Sequence, residues 1–177
     1  MLERRLTAEW NLLLALVQKN PGRLQHPTAC DTTFFITLHP VSAETTNGGA
    51  TPWLPSHDIR IEYPVHFPAV PMELYLSTPV LHPNVHPQTG FVCLWDRHRV
   101  SNTVEHALHK TVAMLAGRLY NPEPLHVMQP LALSRLAQLS SEPPPQHEDG
   151  SSLQGVDYAA PWLDHLHSTP GRRIRLS

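Results

Sequence analysis

From Leu2 to Gln18 the apolar residues fall at Leu2, Leu6, Trp10, Leu13, Leu14 and Val17, the spacing that lines one face of a helix with 3.6 residues per turn. Asn20, Pro21 and Gly22 end it. Thr32 to Leu38 is dense in β-branched and aromatic residues, and His57 to Tyr63 sets Ile59, Ile61 and Tyr63 on one face, so both segments read as strands. Between them, positions 40 to 55 carry Asn47, Gly48 and Gly49 among Ser, Thr and Pro, the composition of a long hairpin connection. A third strand, Met72 to Ser77, follows the prolines at 64, 68 and 71. The pattern therefore predicts an α+β chain in which a helix precedes a three-stranded antiparallel meander.

No period of either kind survives from Thr78 to Arg99, which holds Pro79, Pro83, Pro87 and Gly90. Irregular stretches of that length inside compact domains are often functional. Val104, Leu108, Thr111, Val112 and Leu115 then restore a helical stripe up to Gly117, with Thr103 or Ser101 as its N-cap. A break at Asn121 to Pro124 precedes a further short helix from Pro130 to Leu139. Ser140 to Gly155 is a linker by composition, and the segment after it carries Tyr158, Trp162, Leu163 and Leu166 on a stretch too short to fold alone. The expected organisation is one domain over 1–139, a Pro/Ser/Gly-rich linker over 140–155 and a C-terminal segment over 156–177 that forms a docking helix for a partner or packs on its own domain.

Composition narrows the function. An apolar fraction of 41% with 16% charged residues suits a globular domain. A formal charge of -2 and a pI near 6.7 lack the basic excess that binding many phosphates requires, so nucleic acid is not an expected partner. The run from Leu12 to Val17 is too short to span a membrane and follows Glu9 and Asn11, which excludes a signal-peptide pattern. With two cysteines, Cys30 and Cys93, the simplest reading is a cytoplasmic protein with reduced thiols. The thirteen histidines are spread along the chain and read as compositional bias. His82, His86 and Cys93 lack the paired spacing of a zinc site, and neither a metal nor an organic cofactor is expected.

The chemistry concentrates in Leu81 to Asp96, LHPNVHPQTGFVCLWD. His82, Pro83 and Asn84 precede Gly90, Phe91, Val92, Cys93 and Leu94; upstream lies YPVHFPAVPMEL from Tyr63, and downstream NPEPL from Asn121. In this order the four pieces resemble the ubiquitin-conjugating (E2) enzyme family over roughly residues 2 to 139: its His-Pro-Asn tripeptide, its Gly-x-[Ile/Val]-Cys-Leu element, its proline-rich turn and its NPxxPL element with one residue fewer. The resemblance implies the ubiquitin-conjugating-enzyme (UBC) fold, with an N-terminal helix, an antiparallel meander, an active-site loop and C-terminal helices.

It also implies a reaction. Cys93 would accept a ubiquitin-like modifier from an E1-like activating enzyme by thiolate attack on a thioester, and yield it to an amine, in the simplest case a lysine, on a target protein. Asn84 would donate its side-chain amide to the developing oxyanion or hold the loop. His82 would be structural, and Asp96 and Glu123 would orient or deprotonate the incoming amine. The alternative is a noncatalytic E2-variant, a binding module for a ubiquitin-like protein or partner; such variants usually lack the cysteine. The chain departs from the family where RHRVSNT replaces the stretch usual after the active site, and where Ala69 stands for a bulky aromatic. Those departures put a RING-type ligase in doubt as a partner, and resemble bacterial relatives in ubiquitin-like conjugation operons that act in antiphage defence.

Overall fold

The computed structural model describes residues 2–39, 56–139 and 174–175. The expected 40–55 connection, the 140–155 linker and the C-terminal helix lie outside the described residues. The first apolar stripe forms α1, Leu2–Lys19, and buries Leu13 and Leu16 completely. A five-stranded antiparallel sheet follows in simple sequential order: β1 (Leu24–Cys30), β2 (Thr33–Leu38), β3 (His57–Glu62), β4 (Glu73–Leu76) and β5 (Phe91–Val92). Alternation sets the register. Phe34 pairs with Ile61, Ile36 with Ile59, Ile61 with Leu74 and Leu74 with Val92, so one continuous apolar face is buried.

The sheet has two strands more than the predicted meander. β1 escapes sequence reading because it is an edge strand with little to bury: only Leu24 is fully inside, and a bulge falls between Gln25 and Thr28, where His26 adopts φ 55° and Pro27 follows. Cys30, expected just before a strand, ends this one and is exposed. β5 is two residues long, too short to leave a period.

The second stripe forms α2, Val104–Leu115, which buries Val104, Ala107, Leu108, Val112, Met114 and Leu115 in the core shared with α1 and the sheet. Its N-terminus is held from two directions. Thr103 is the N-cap, and its N–H donates to His106 Nδ1 at 3.1 Å. The Val104 N–H donates to Oε2 of Glu9 at 2.6 Å, so a fully buried α1 carboxylate, itself 2.9 Å from the Arg5 guanidinium, sits at the positive end of α2. Trp10, Phe34, Tyr63 and Phe67 stack in sequence with ring centroids 4.8–5.1 Å apart, packing the proline-rich turn against α1 and the sheet.

After α2, β6 (Leu119–Tyr120) leads into a 3-10 turn, Pro124–His126, and α3 follows at Pro130–Leu139. β7, Ile174–Arg175, pairs in parallel with β6.

Candidate active site

The irregular stretch is held in place by its own polar side chains. His82, Asn84 and Gln129 are all buried, and each bonds backbone. His82 Nε2 lies 3.1 Å from the Leu119 carbonyl, while its Nδ1 accepts the Asn84 N–H at 3.2 Å. Gln129 Nε2 donates to the carbonyls of Val80 and Val85. The Met128 N–H donates to the Pro83 carbonyl at 2.7 Å. Val80 and Val85 anchor the loop in the core from below.

Asn84 is the hub. Its Nδ2 donates to the carbonyls of Asn121 (2.8 Å) and His126 (2.9 Å), and its Oδ1 accepts the Asn121 N–H at 2.7 Å. Its own carbonyl accepts the Cys93 N–H at 2.9 Å. Both amide hydrogens are thus committed to backbone, and the side chain is fully buried. Of the two roles expected for Asn84, this geometry supports holding the loop, since no amide hydrogen is left for an oxyanion.

Between Asn84 and Cys93 the chain folds into a tight turn. The His86 N–H donates to the Phe91 carbonyl at 2.8 Å and the Gly90 N–H to the His86 carbonyl at 2.9 Å. His86 Nδ1 faces the Thr89 N–H at 3.2 Å, inside the turn. Gly90 has φ 72° and lies against the Leu76 carbonyl oxygen of β4, where a Cβ would overlap it. Only glycine fits.

Cys93 follows β5 directly and is half-buried. Its Sγ is 3.2 Å from Nδ1 of His126. The other ring nitrogen, Nε2, is 3.9 Å from Oδ1 of Asp96, too long for a direct hydrogen bond. The side chains of His126 and Asp96 are 24% and 31% exposed, so solvent reaches the pair. Burial pushes the Cys93 thiol up, opposed by the charge of Lys110 and reinforced by that of Asp96. Lys110 is itself buried, donates to the Leu94 carbonyl at 2.9 Å and lies over the Trp95 ring; burial draws its pKa down to about 8 against the pull of Asp96 and Cys93.

The structure therefore brings together Cys93, Asn84, His82 and Asp96, and leaves Glu123 apart. Glu123 is exposed at the start of the 3-10 turn, where its N–H donates to Asn121 Oδ1, and its carboxylate makes no bond to the cluster around the thiol. Sequence reasoning missed His126, Lys110, Asn121 and Gln129. His126 was hidden among histidines read as compositional bias; its position directly after Asn121 to Leu125 was the one available signal. Lys110 is buried on α2, and the apolar stripe that marks this helix carries no signal for a charged residue beside it. Among the described residues no three His, Cys, Asp or Glu side chains are grouped to hold a metal ion, and no helix is long and apolar enough to cross a membrane.

No protein-family model matches the chain, and no curated protein matches its sequence. Solved structures do match its fold. A protein described as a ubiquitin conjugating enzyme from Trypanosoma cruzi aligns with a TM-score of 0.57 at 13% identity, covering 75% of this chain and 88% of that one. The H. polymorpha ubiquitin conjugating enzyme Pex4p, solved in complex with the soluble domain of Pex22p, aligns at 0.55 and 16% identity, covering 78% of this chain and 90% of that one. A protein described as a ubiquitin conjugating enzyme from Plasmodium yoelii aligns at 0.50 and 20% identity, covering 78% and 82%. With its N-terminal helix, sequential antiparallel sheet and irregular segment ahead of the second helix, the chain has the ubiquitin-conjugating-enzyme fold.

Proposed function

We propose that this chain is an E2-like acyl carrier that accepts a ubiquitin-like modifier from an E1-like enzyme as a Cys93 thioester and passes it to an amine, most simply lysine, on a target protein. The observation that carries the reading is the half-buried Cys93 thiol 3.2 Å from the His126 imidazole, on a UBC fold. A thiol beside an imidazole can lose its proton to it and attack an incoming thioester as thiolate. Lys110 favours the same anion. Asn84 ties the two partners together, bonding the His126 carbonyl through its side chain and the Cys93 N–H through its backbone. His82 supports that loop from beneath, and Asp96 orients His126. A noncatalytic binding module would need neither the thiol nor the imidazole facing it.

The finer reading, transfer without a RING-type ligase in a bacterial antiphage operon, is proposed on the sequence departures after the active site. The test is intact-mass spectrometry of the full chain after incubation with an E1-like enzyme, its ubiquitin-like modifier and ATP. A DTT-labile adduct is expected on the wild type and on Cys30→Ala, none on Cys93→Ala, and a DTT-stable oxyester on Cys93→Ser. Charging that survives Cys93→Ala and vanishes with Cys30→Ala would sink the assignment.

A further inference from the structure

We infer that His126 opens the Cys93 thioester to a second class of acceptor, the hydroxyl group, so that the acyl group is passed to Ser or Thr side chains as an ester as well as to amines. This rests on the thioester reading above and deepens it. The group facing Sγ is an imidazole. The two carboxylates expected to handle the acceptor stand elsewhere: Glu123 is exposed and outside the cluster, and Asp96 sits on the far side of the ring, 3.9 Å from Nε2. The acceptor therefore meets a base with a carboxylate behind it, the order in which a proton can be taken and the resulting cation stabilised.

The two acceptor classes need this base to different degrees. A lysine that has lost its proton to solvent is a strong nucleophile and needs no further help to attack. A hydroxyl is a weak nucleophile and must give up its proton while its bond to carbon forms. Once Cys93 is acylated its sulfur carries no hydrogen, so the Nδ1 lone pair 3.2 Å from Sγ is released beside the acyl carbon. The hydroxyl oxygen then bonds to that carbon as its proton moves to Nδ1. The tetrahedral intermediate collapses with cleavage of the carbon–sulfur bond, and the departing thiolate takes the proton back from Nδ1. The balance is thioester plus alcohol to ester plus Cys93 thiol, and His126 is regenerated.

The experiment uses the full chain loaded with the mercaptoethanesulfonate thioester of acetylglycine, isolated at pH 5 and then mixed at pH 7.5 with equal N-acetylthreonine amide and N-acetyllysine amide. Mass spectrometry reads the ester and amide products. The wild type is expected to form both. His126→Gln is expected to lower the ester-to-amide ratio at least tenfold, a floor set below the ~100-fold or greater contribution typical of a general base. Asp96→Asn, a change at a positioning residue, should lower the same ratio by a smaller factor. The His126 carbonyl, not its ring, holds Asn84, so the glutamine variant keeps the loop tie, and an unaltered melting temperature checks this. Amide alone from the wild type, or an ester-to-amide ratio that His126→Gln leaves unmoved, overturns the inference and leaves the thioester reading standing. A wild type that never loads at Cys93 overturns both.

Discussion

His82 is the residue whose protonation the fold can least accept. A neutral ring with its proton on Nε2 donates to the Leu119 carbonyl and accepts the Asn84 N–H, and a second proton would point Nδ1–H at a donor. Burial draws its pKa from 6.5 down to about 4, against the opposing bond to Leu119. Because the folded value lies below the unfolded one, the unfolded chain binds more protons over this window, and stability is lost as pH falls from 6.5 to about 4. The full loss is about 3 kcal/mol, with none added by this group below the window. His106 and His109, lowered mainly by burial, act in the same direction, while Glu9, raised by burial, acts against it. Urea midpoints measured from pH 7 to pH 4 should fall, and His82→Gln should flatten that fall while lowering the midpoint at pH 7. Asn84 makes a second prediction at this scale. Asn84→Ala leaves the Asn121 N–H and the carbonyls of Asn121 and His126 without their partner, a loss on the order of 3 kcal/mol. Loading and discharge of Cys93 should fall together, with a melting temperature several degrees lower. Slower discharge at unchanged loading and unchanged melting would instead restore the oxyanion role.

Between β4 and β5 the turn at 86–90 leads to Cys93, and its geometry depends on one position. Gly90 combines φ 72° with contact against the β4 backbone, and its carbonyl accepts the Leu76 N–H at 2.9 Å. Gly90→Ala adds left-handed strain of about 1–2 kcal/mol and a backbone overlap that only movement of β5 can relieve. Thermal melting should show a loss of at least about 2 kcal/mol, and because Cys93 follows β5 directly, loading should slow as well. A variant that melts and loads like the wild type would show that β4 and β5 are not coupled this way. Element reading from sequence succeeds where a long face is buried. α1, β3 and α2 were legible because their apolar residues recur with the right period, β2 because it is dense in β-branched and aromatic residues, and β4 and α3 because prolines or a break in the pattern precede them. β1 was not, because it has one buried residue and a bulge at the edge of the sheet.

Across the whole molecule, the C-terminus has two possible fates, docking on a partner or packing on its own domain. The pairing of β7 with β6 favours the second, and it falls beside the site: Leu119 holds His82, and Asn121 follows Tyr120. Truncation after Leu139 should therefore lower the melting temperature by about 2–8 °C, as expected for losing one or two kcal/mol from a domain of this size. Differential scanning fluorimetry of the full and truncated chains decides it. An unchanged melting temperature with charging that fails only at low E1 concentration would restore the docking alternative.

The sequence by itself determined the α+β class, the order of the long elements and the segment bearing Cys93, because periodicity and local motifs are written in neighbouring residues. It also singled out Cys93, Asn84 and His82, which lie in one short segment of the chain. What only the tertiary structure decided was which distant groups face them. His126 lies thirty-three positions from Cys93 and meets it because Asn84 holds both strands of backbone. Lys110 approaches the same site from the buried stripe of α2, and Glu123 turns away to solvent. Such juxtapositions depend on loop closure through buried hydrogen bonds between residues far apart in the chain, and no local pattern encodes them.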